Sequence, residues 1–160
     1  MTRGLPPGAR GLRLADAPRV SVVVAARGDR ALLDPCLAAL LPQCAEHGAE
    51  LVVAHAGALG DLESAYPAVR FVSAAPGTQL PALRAAGMAA TDGDVVVLTE
   101  DHCVAAPDWL GLIVAAQRSG VDVVGGPMEN ARPQRALDWA AYLAEYGTYL
   151  AGPPSGAPPE

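Results

Sequence analysis

The chain is 160 residues long, 51% apolar but only 4% aromatic, so its core must be built from Val, Leu and Ala, as suits one sheet covered by helices. All eleven basic residues are arginine, and against seventeen acids they leave a net charge of -6. No stretch concentrates arginine, which argues against a nucleic-acid groove; a phosphate-bearing ligand stays compatible with the acidic balance, because a bound cation reverses the local field.

The three cysteines, Cys36, Cys44 and Cys103, are odd in number and widely spaced, which speaks against a disulfide framework and for a reducing, cytoplasmic setting. Met1 to Ala17 carries arginines without a continuous apolar run, so no signal peptide is expected there. Nowhere do apolar residues reach the roughly 18 needed to span a bilayer.

In chain order, residues 1–18, with Gly4, Pro6, Pro7, Gly8 and Gly11, read as a flexible leader. The run Val20 to Ala26, bounded by Pro18 and Gly28, reads as a buried strand. Asp34 and Pro35 look like the cap and first position of a helix, with Cys36, Leu37, Leu40, Leu41 and Cys44 as its apolar stripe. Glu50 to Ala54 is a second strand and Val69 to Ser73 a short third. Leu80 to Ala90 reads as a helix, weakened at Gly87 by roughly 1 kcal/mol relative to alanine. Asp94 to Thr99, apolar on both faces, is expected to be a central fourth strand. Pro107 to Arg118 is a helix, Val121 to Gly125 a fifth strand, and Gln134 to Leu150 a last helix. Residues 151–160, rich in Pro and Gly, form a tail that cannot build a core. The pattern predicts one α/β domain over residues 19–150, a mostly parallel sheet with helices on both faces, whose ligand site lies at the carboxyl ends of the strands.

Three common chemistries of such sheets are excluded. Ala25-Ala26-Arg27-Gly28-Asp29 is no dinucleotide fingerprint, a P-loop is absent along with any lysine, and no G-x-S-x-G elbow occurs. The informative segment is Thr99-Glu100-Asp101-His102-Cys103, three titratable side chains directly after an apolar strand, where polar groups are costly unless used or paired. At strand spacing Glu100 and His102 share a face and Asp101 takes the other. A carboxylate and an imidazole on one spot suit Mn2+ or Mg2+, with water and diphosphate oxygens completing the shell. The alternative is that all three merely cap the strand and bond neighbouring backbone. A zinc site from His102 and Cys103 lacks the paired-cysteine spacing it would need.

Three stretches resemble family 2 glycosyltransferases in order and spacing. They are Val20–Ala26 with Leu32-Leu33-x-x-Cys36-Leu37-x-x-Leu40 behind it, Arg84-Ala85-Ala86-Gly87 through Gly93-Asp94, and Leu98-Thr99-Glu100-Asp101-His102 through Pro107-Asp108-Trp109-Leu110. The third is the most specific, and a subgroup of the family is similar in carrying E-D-H in place of D-x-D. The resemblance implies a GT-A fold that binds a nucleoside-diphosphate sugar, UDP- or GDP-linked, through Mn2+ or Mg2+. It puts Glu100 and His102 on the two metal-binding positions with Asp101 between them, Arg84 on the arginine before the nucleotide site, and Ala26 and Arg27 where the first strand meets base and ribose.

This sequence departs from the family pattern in three places. The proline and asparagine expected around the first strand's end are Ala25 and Gly28. The acid expected after the second strand is absent, leaving His55 of Ala54-His55-Ala56-Gly57 as the residue to contact the base. The acceptor half and its catalytic carboxylate are not visible before residue 152, so the chain reads as a donor-binding half. Glu129, in Gly125-Gly126-Pro127-Met128-Glu129-Asn130, is the candidate base, with an ordinary turn acid as the alternative. Trp139, Tyr142, Tyr146 and Tyr149 recur at helical spacing, as core packing or as a face for an acceptor or partner chain. Three functions follow: sugar transfer to an unknown acceptor, nucleotide binding by a remnant without transfer, or an interaction domain.

Overall fold

The run Val20–Ala26 forms strand β1, and every residue of it is buried. In the computed structural model, which describes residues 18–131 and 134–147, it is followed by α1 (Arg30–His47), β2 (Glu50–His55), α2 (Leu62–Ala65), β3 (Arg70–Ser73), α3 (Leu80–Ala89), β4 (Val95–Glu100), α4 (Trp109–Arg118) and α5 (Ala136–Tyr146). The leader through residue 17, the tail, Tyr149 and Leu150 lie outside the described residues. The described residues divide into two compact units, one ending at Asp122 and one beginning at Val123. Among them no helix is long and apolar enough to cross a membrane.

The first unit holds a parallel sheet in the order β3-β2-β1-β4. Period-two alternation divides its side chains between two layers. Val20, Val22, Val24 and Ala26 of β1, Leu51 and Val53 of β2, and Val95 and Val97 of β4 pack with Leu33, Leu37 and Leu40 of α1 and Leu110 and Val114 of α4. On the opposite face, Ala25 and Ala54 pack with Leu83 of α3. Burying each large aliphatic side chain contributes about 1.5–3 kcal/mol, so the first layer supplies most of the cohesion.

Four details differ from the sequence expectation, the first being the four-residue helix α2, which the residue pattern did not announce. Helix α1 begins a turn early: Asp29 Oδ1 accepts the Ala31 N–H at 2.9 Å, while Asp34 accepts from Arg30 Nε and from the Tyr66 hydroxyl, both at 3.1 Å. Pro35 therefore lies inside the helix, as does Pro42; both face solvent, and the buried Leu33, Cys36, Leu37, Leu40 and Cys44 hold the helix together across the two missing donors. The central strand is β1, and β4 is an edge. Apolar residues on both faces misled here because α3 covers only β1 and β2, leaving Leu98 of β4 42% exposed. The expected fifth strand does not form: Val121 to Gly125 has no regular structure, and its valines at 121 and 123 are exposed. A strand needs a ladder partner, and this short run ends in Gly125-Gly126-Pro127.

Two glycines set how closely layers approach. A Cβ at Gly87 of α3 would lie 2.3 Å from Val23 Cγ1, and one at Gly93 would lie 2.3 Å from Ser21 Oγ. Next to Gly93, Asp94 Oδ2 accepts the Arg19 N–H at 3.0 Å while the Asp94 N–H donates to the Arg19 carbonyl at 2.8 Å, which sets β4 against the start of β1. Gly87→Ala makes the sign of the contact measurable. Helix propensity alone favours alanine by about 1 kcal/mol, whereas overpacking against the sheet costs about 1–3 kcal/mol. The urea midpoint of Gly87→Ala is expected to fall at unchanged m; a rise would show that α3 does not approach β1 this closely.

Candidate functional site

From β1 the chain moves to β2 and β3 on one side, then returns past β1 to β4 on the other. Right-handed crossovers then send α1 and α3 to opposite faces, and the loops leaving β1 and β4 part company. Such a reversal of strand order opens a crevice at the carboxyl ends of the two strands, where parallel sheets bind ligands. Residues 25–29 and 99–103 end at this point, with residues 55–57 beside them.

Ala25 pairs with Glu100 in the ladder, and the Asp101 N–H donates to the Ala25 carbonyl at 3.2 Å. Strand β4 stops at Glu100, and Asp101 and His102 form a turn. The expectation that Asp101 points away from its neighbours is therefore corrected: strand alternation does not continue into a turn. His102 Nδ1 lies 3.6 Å from Glu100 Oε2 and 3.7 Å from Asp101 Oδ1. The other Asp101 oxygen accepts the Arg27 N–H at 2.9 Å and closes the two loops on each other. Arg84 of α3 donates through Nη2 to Glu100 Oε1. Exposure grades across the group, from 8% for the Asp101 side chain and 19% for Glu100 to about 40% for Arg84 and His102, so the cluster opens at one side.

Cis ligands of an octahedral Mn2+ or Mg2+ with bonds near 2.1 Å lie about 3 Å apart, so the 3.6 Å between Glu100 and His102 must close by about 0.6 Å for both to bind one ion. Among the described residues no three His, Cys, Asp or Glu side chains are arranged to hold a metal alone. A pair of protein ligands with the rest of the shell open is the arrangement Mg2+-type ions adopt when phosphates complete it.

His55 closes β2. It is buried, its Nδ1 donates to the Gly57 carbonyl at 2.8 Å, its ring meets Phe71 edge-on, and its Nε2 lies 3.8 Å from Glu63. Through Nδ1 the ring holds the loop after β2. That loop packs backbone against backbone on the loop after β1: a Cβ at Gly28, whose φ is +96°, would meet Gly57 Cα at 2.7 Å. Sequence reasoning also missed Gln43, a buried amide that accepts the Leu110 N–H at 2.9 Å and donates to the Ala106 carbonyl at 2.8 Å, fixing the segment between the acid cluster and α4. Its signal was an amide one residue before Cys44 on the apolar stripe. Ala26 is buried at the end of β1, and Arg27 is exposed beside it. Glu129 lies in the second unit, in exposed irregular backbone. In that unit Trp139, Tyr142 and Tyr146 form a ladder of ring contacts on α5, and the Tyr142 hydroxyl donates to the Met128 carbonyl. No α5 residue is buried.

The fold is that of a GT-A glycosyltransferase. The mannosyltransferase PcManGT from Pyrobaculum calidifontis, in complex with GDP-Man and Mn2+, is similar at a TM-score of 0.50 and 20% identity, over 82% of this chain and 40% of that one. The present chain thus spans about 40% of that protein's length. In sequence, residues 21–154 match the profile of glycosyl transferase family 2, and the chain belongs to that family. No curated protein matches the sequence.

Beneath the triplet, Cys36 Sγ donates to the Glu100 carbonyl at 3.6 Å. Burial pushes this thiol up to about 12, and that of Cys44 to about 11, from the ordinary 9.0. Burial also raises Cys103. Below pH 9 both folded and unfolded thiols are neutral; above it the unfolded chain sheds protons that the folded chain keeps, so stability falls as pH rises from 9 towards 11 and 12. The urea midpoint is expected to drop between about pH 8 and pH 10.5, less steeply in Cys36→Ala. An equal slope in the variant would contradict the burial of that thiol.

Proposed function

We propose that this chain binds a nucleoside-diphosphate sugar, UDP- or GDP-linked, through a divalent cation, and transfers the sugar to an acceptor. The carrying observation is the convergence of Glu100, Asp101 and His102 at the strand-order reversal. Glu100 and His102 would hold Mn2+ or Mg2+, which when bound supplies positive charge to the leaving diphosphate. Asp101 keeps the β1 and β4 loops in register by taking the Arg27 N–H, so that Ala26 and Arg27 border the base and ribose. Arg84 carries the guanidinium nearest the cluster and suits a diphosphate oxygen pair. The E-D-H subgroup reading rests on the same residues. Glu129 is proposed as the base that takes the acceptor proton. The GDP-Man and Mn2+ of the similar mannosyltransferase favour GDP-mannose and Mn2+ as the first pair to try. Three free cysteines suit a cytoplasmic location.

A second reading rests on α5, where Leu137, Trp139 and Leu143 are exposed. In it the Trp139, Tyr142 and Tyr146 helix docks on a partner chain, and the domain binds nucleotide without transferring sugar.

Calorimetric titration with GDP- and UDP-sugars, with Mn2+ and with chelator, tests the main reading. Binding is expected only with metal, and Glu100→Gln is expected to weaken it at least about tenfold, equivalent to about 1.4 kcal/mol. Binding indifferent to chelator would remove Glu100 and His102 from the site. Loss of transfer but not of binding in Glu129→Gln would support its role as base; unchanged transfer would end it.

A further inference from the structure

Glu100 is shared. One carboxylate oxygen takes the guanidinium of Arg84 from α3, and the other lies 3.6 Å from His102 Nδ1. Two features make the Arg84 contact more than a surface pair. The Glu100 side chain is only 19% exposed, so its charge is weakly screened by water, and Arg84 is anchored on the helix that Gly87 locks against β1. Taken with Asp101, the two carboxylates and one guanidinium leave a single net negative charge. A divalent cation arriving alone reverses that sign and sets itself beside a like-charged guanidinium on the same carboxylate. A diphosphate arriving with the cation relieves both, because it offers the guanidinium a new bidentate partner.

We propose that Arg84 is the resident counter-cation of Glu100, and that its transfer from Glu100 to the diphosphate makes metal binding conditional on the nucleotide. This rests on the donor-site reading above and adds an order to it: cation and nucleoside diphosphate enter as a pair, each raising the affinity for the other by the same factor. Arg84 is in this respect a positioning residue. It acts on the metal through Glu100.

The test is titration of the full chain with MnCl2, following free Mn2+ by electron paramagnetic resonance, without nucleotide and with GDP or UDP. For the unmodified chain, one of the nucleotides is expected to tighten Mn2+ binding at least about tenfold. In Arg84→Gln, nucleotide-free Mn2+ binding is expected to tighten by about fivefold or more, and the nucleotide-induced gain to shrink by a similar factor. Arg84→Lys, which keeps the charge, is expected to stay near the unmodified chain. The Arg84 side chain is 40% exposed, so neither change disturbs the core, which a thermal melt verifies. If Arg84→Gln leaves nucleotide-free binding unchanged or weaker while Mn2+ still binds with nucleotide, the counter-cation role is overturned and the donor site stands. If Mn2+ binds none of the proteins even with nucleotide, both fall together.

Discussion

The structure depends on one constraint: β1 is the strand at which the sheet changes direction, and everything at its carboxyl end must be held open and yet tied together. Backbone pairing ends at Ala26, and the loops then leave for opposite faces. What bridges the gap is the carboxylate of Asp101 on the Arg27 N–H, a charge-assisted bond in a poorly hydrated place, stronger than its neutral equivalent. It ties the turn carrying His102 to β1 above the ladder. Glu100 and His102 face each other because this bond ends the strand where it does.

The opposite end of the sheet supplies rigidity. The Gly93-Asp94 pair, part of the second stretch that resembles the family, sits at the amino end of β4, across the full length of the strand from Glu100. Its work is packing and register: no side chain at 93 against Ser21, and a reciprocal pair of hydrogen bonds between Asp94 and Arg19. The Arg19 N–H also holds the Asp94 carboxyl below its ordinary range. Gly87 does the same for α3 and so sets the height from which Arg84 reaches Glu100. A motif can thus support a site from 20 Å away, at about 3.3 Å per strand residue.

How much of this was legible in the residues differs by element. Valine-rich β1 and the order of strands and helices through α4, except for the four-residue α2, could be read directly, because short apolar runs between turn residues have few other uses. The edge position of β4 could not, since hydropathy records which residues are apolar and not which helix covers them. The start of α1 went to Asp34-Pro35 because that pair carries a local cap signal; Asp29 won because its carboxylate reaches the Ala31 N–H while Asp34 is taken by Arg30 and Tyr66. The triplet was visible as an anomaly of polarity, but its geometry was not, because the change from strand to turn after Glu100 cancels the alternation rule. The bond from His55 to the Gly57 carbonyl has no signal in the residue pattern either.

The proposed donor site needs a divalent ion between Glu100 and His102. Paramagnetic broadening in an amide proton–nitrogen spectrum tests it most directly, with Mn2+ added in the presence of GDP or UDP. The amides of Arg27, Asp101, His102 and Cys103 are expected to broaden first, while those of Gly93 and Asp94 at the far end of β4 stay sharp. Broadening centred on any other part of the chain, or none at all in the presence of either nucleotide, would contradict it.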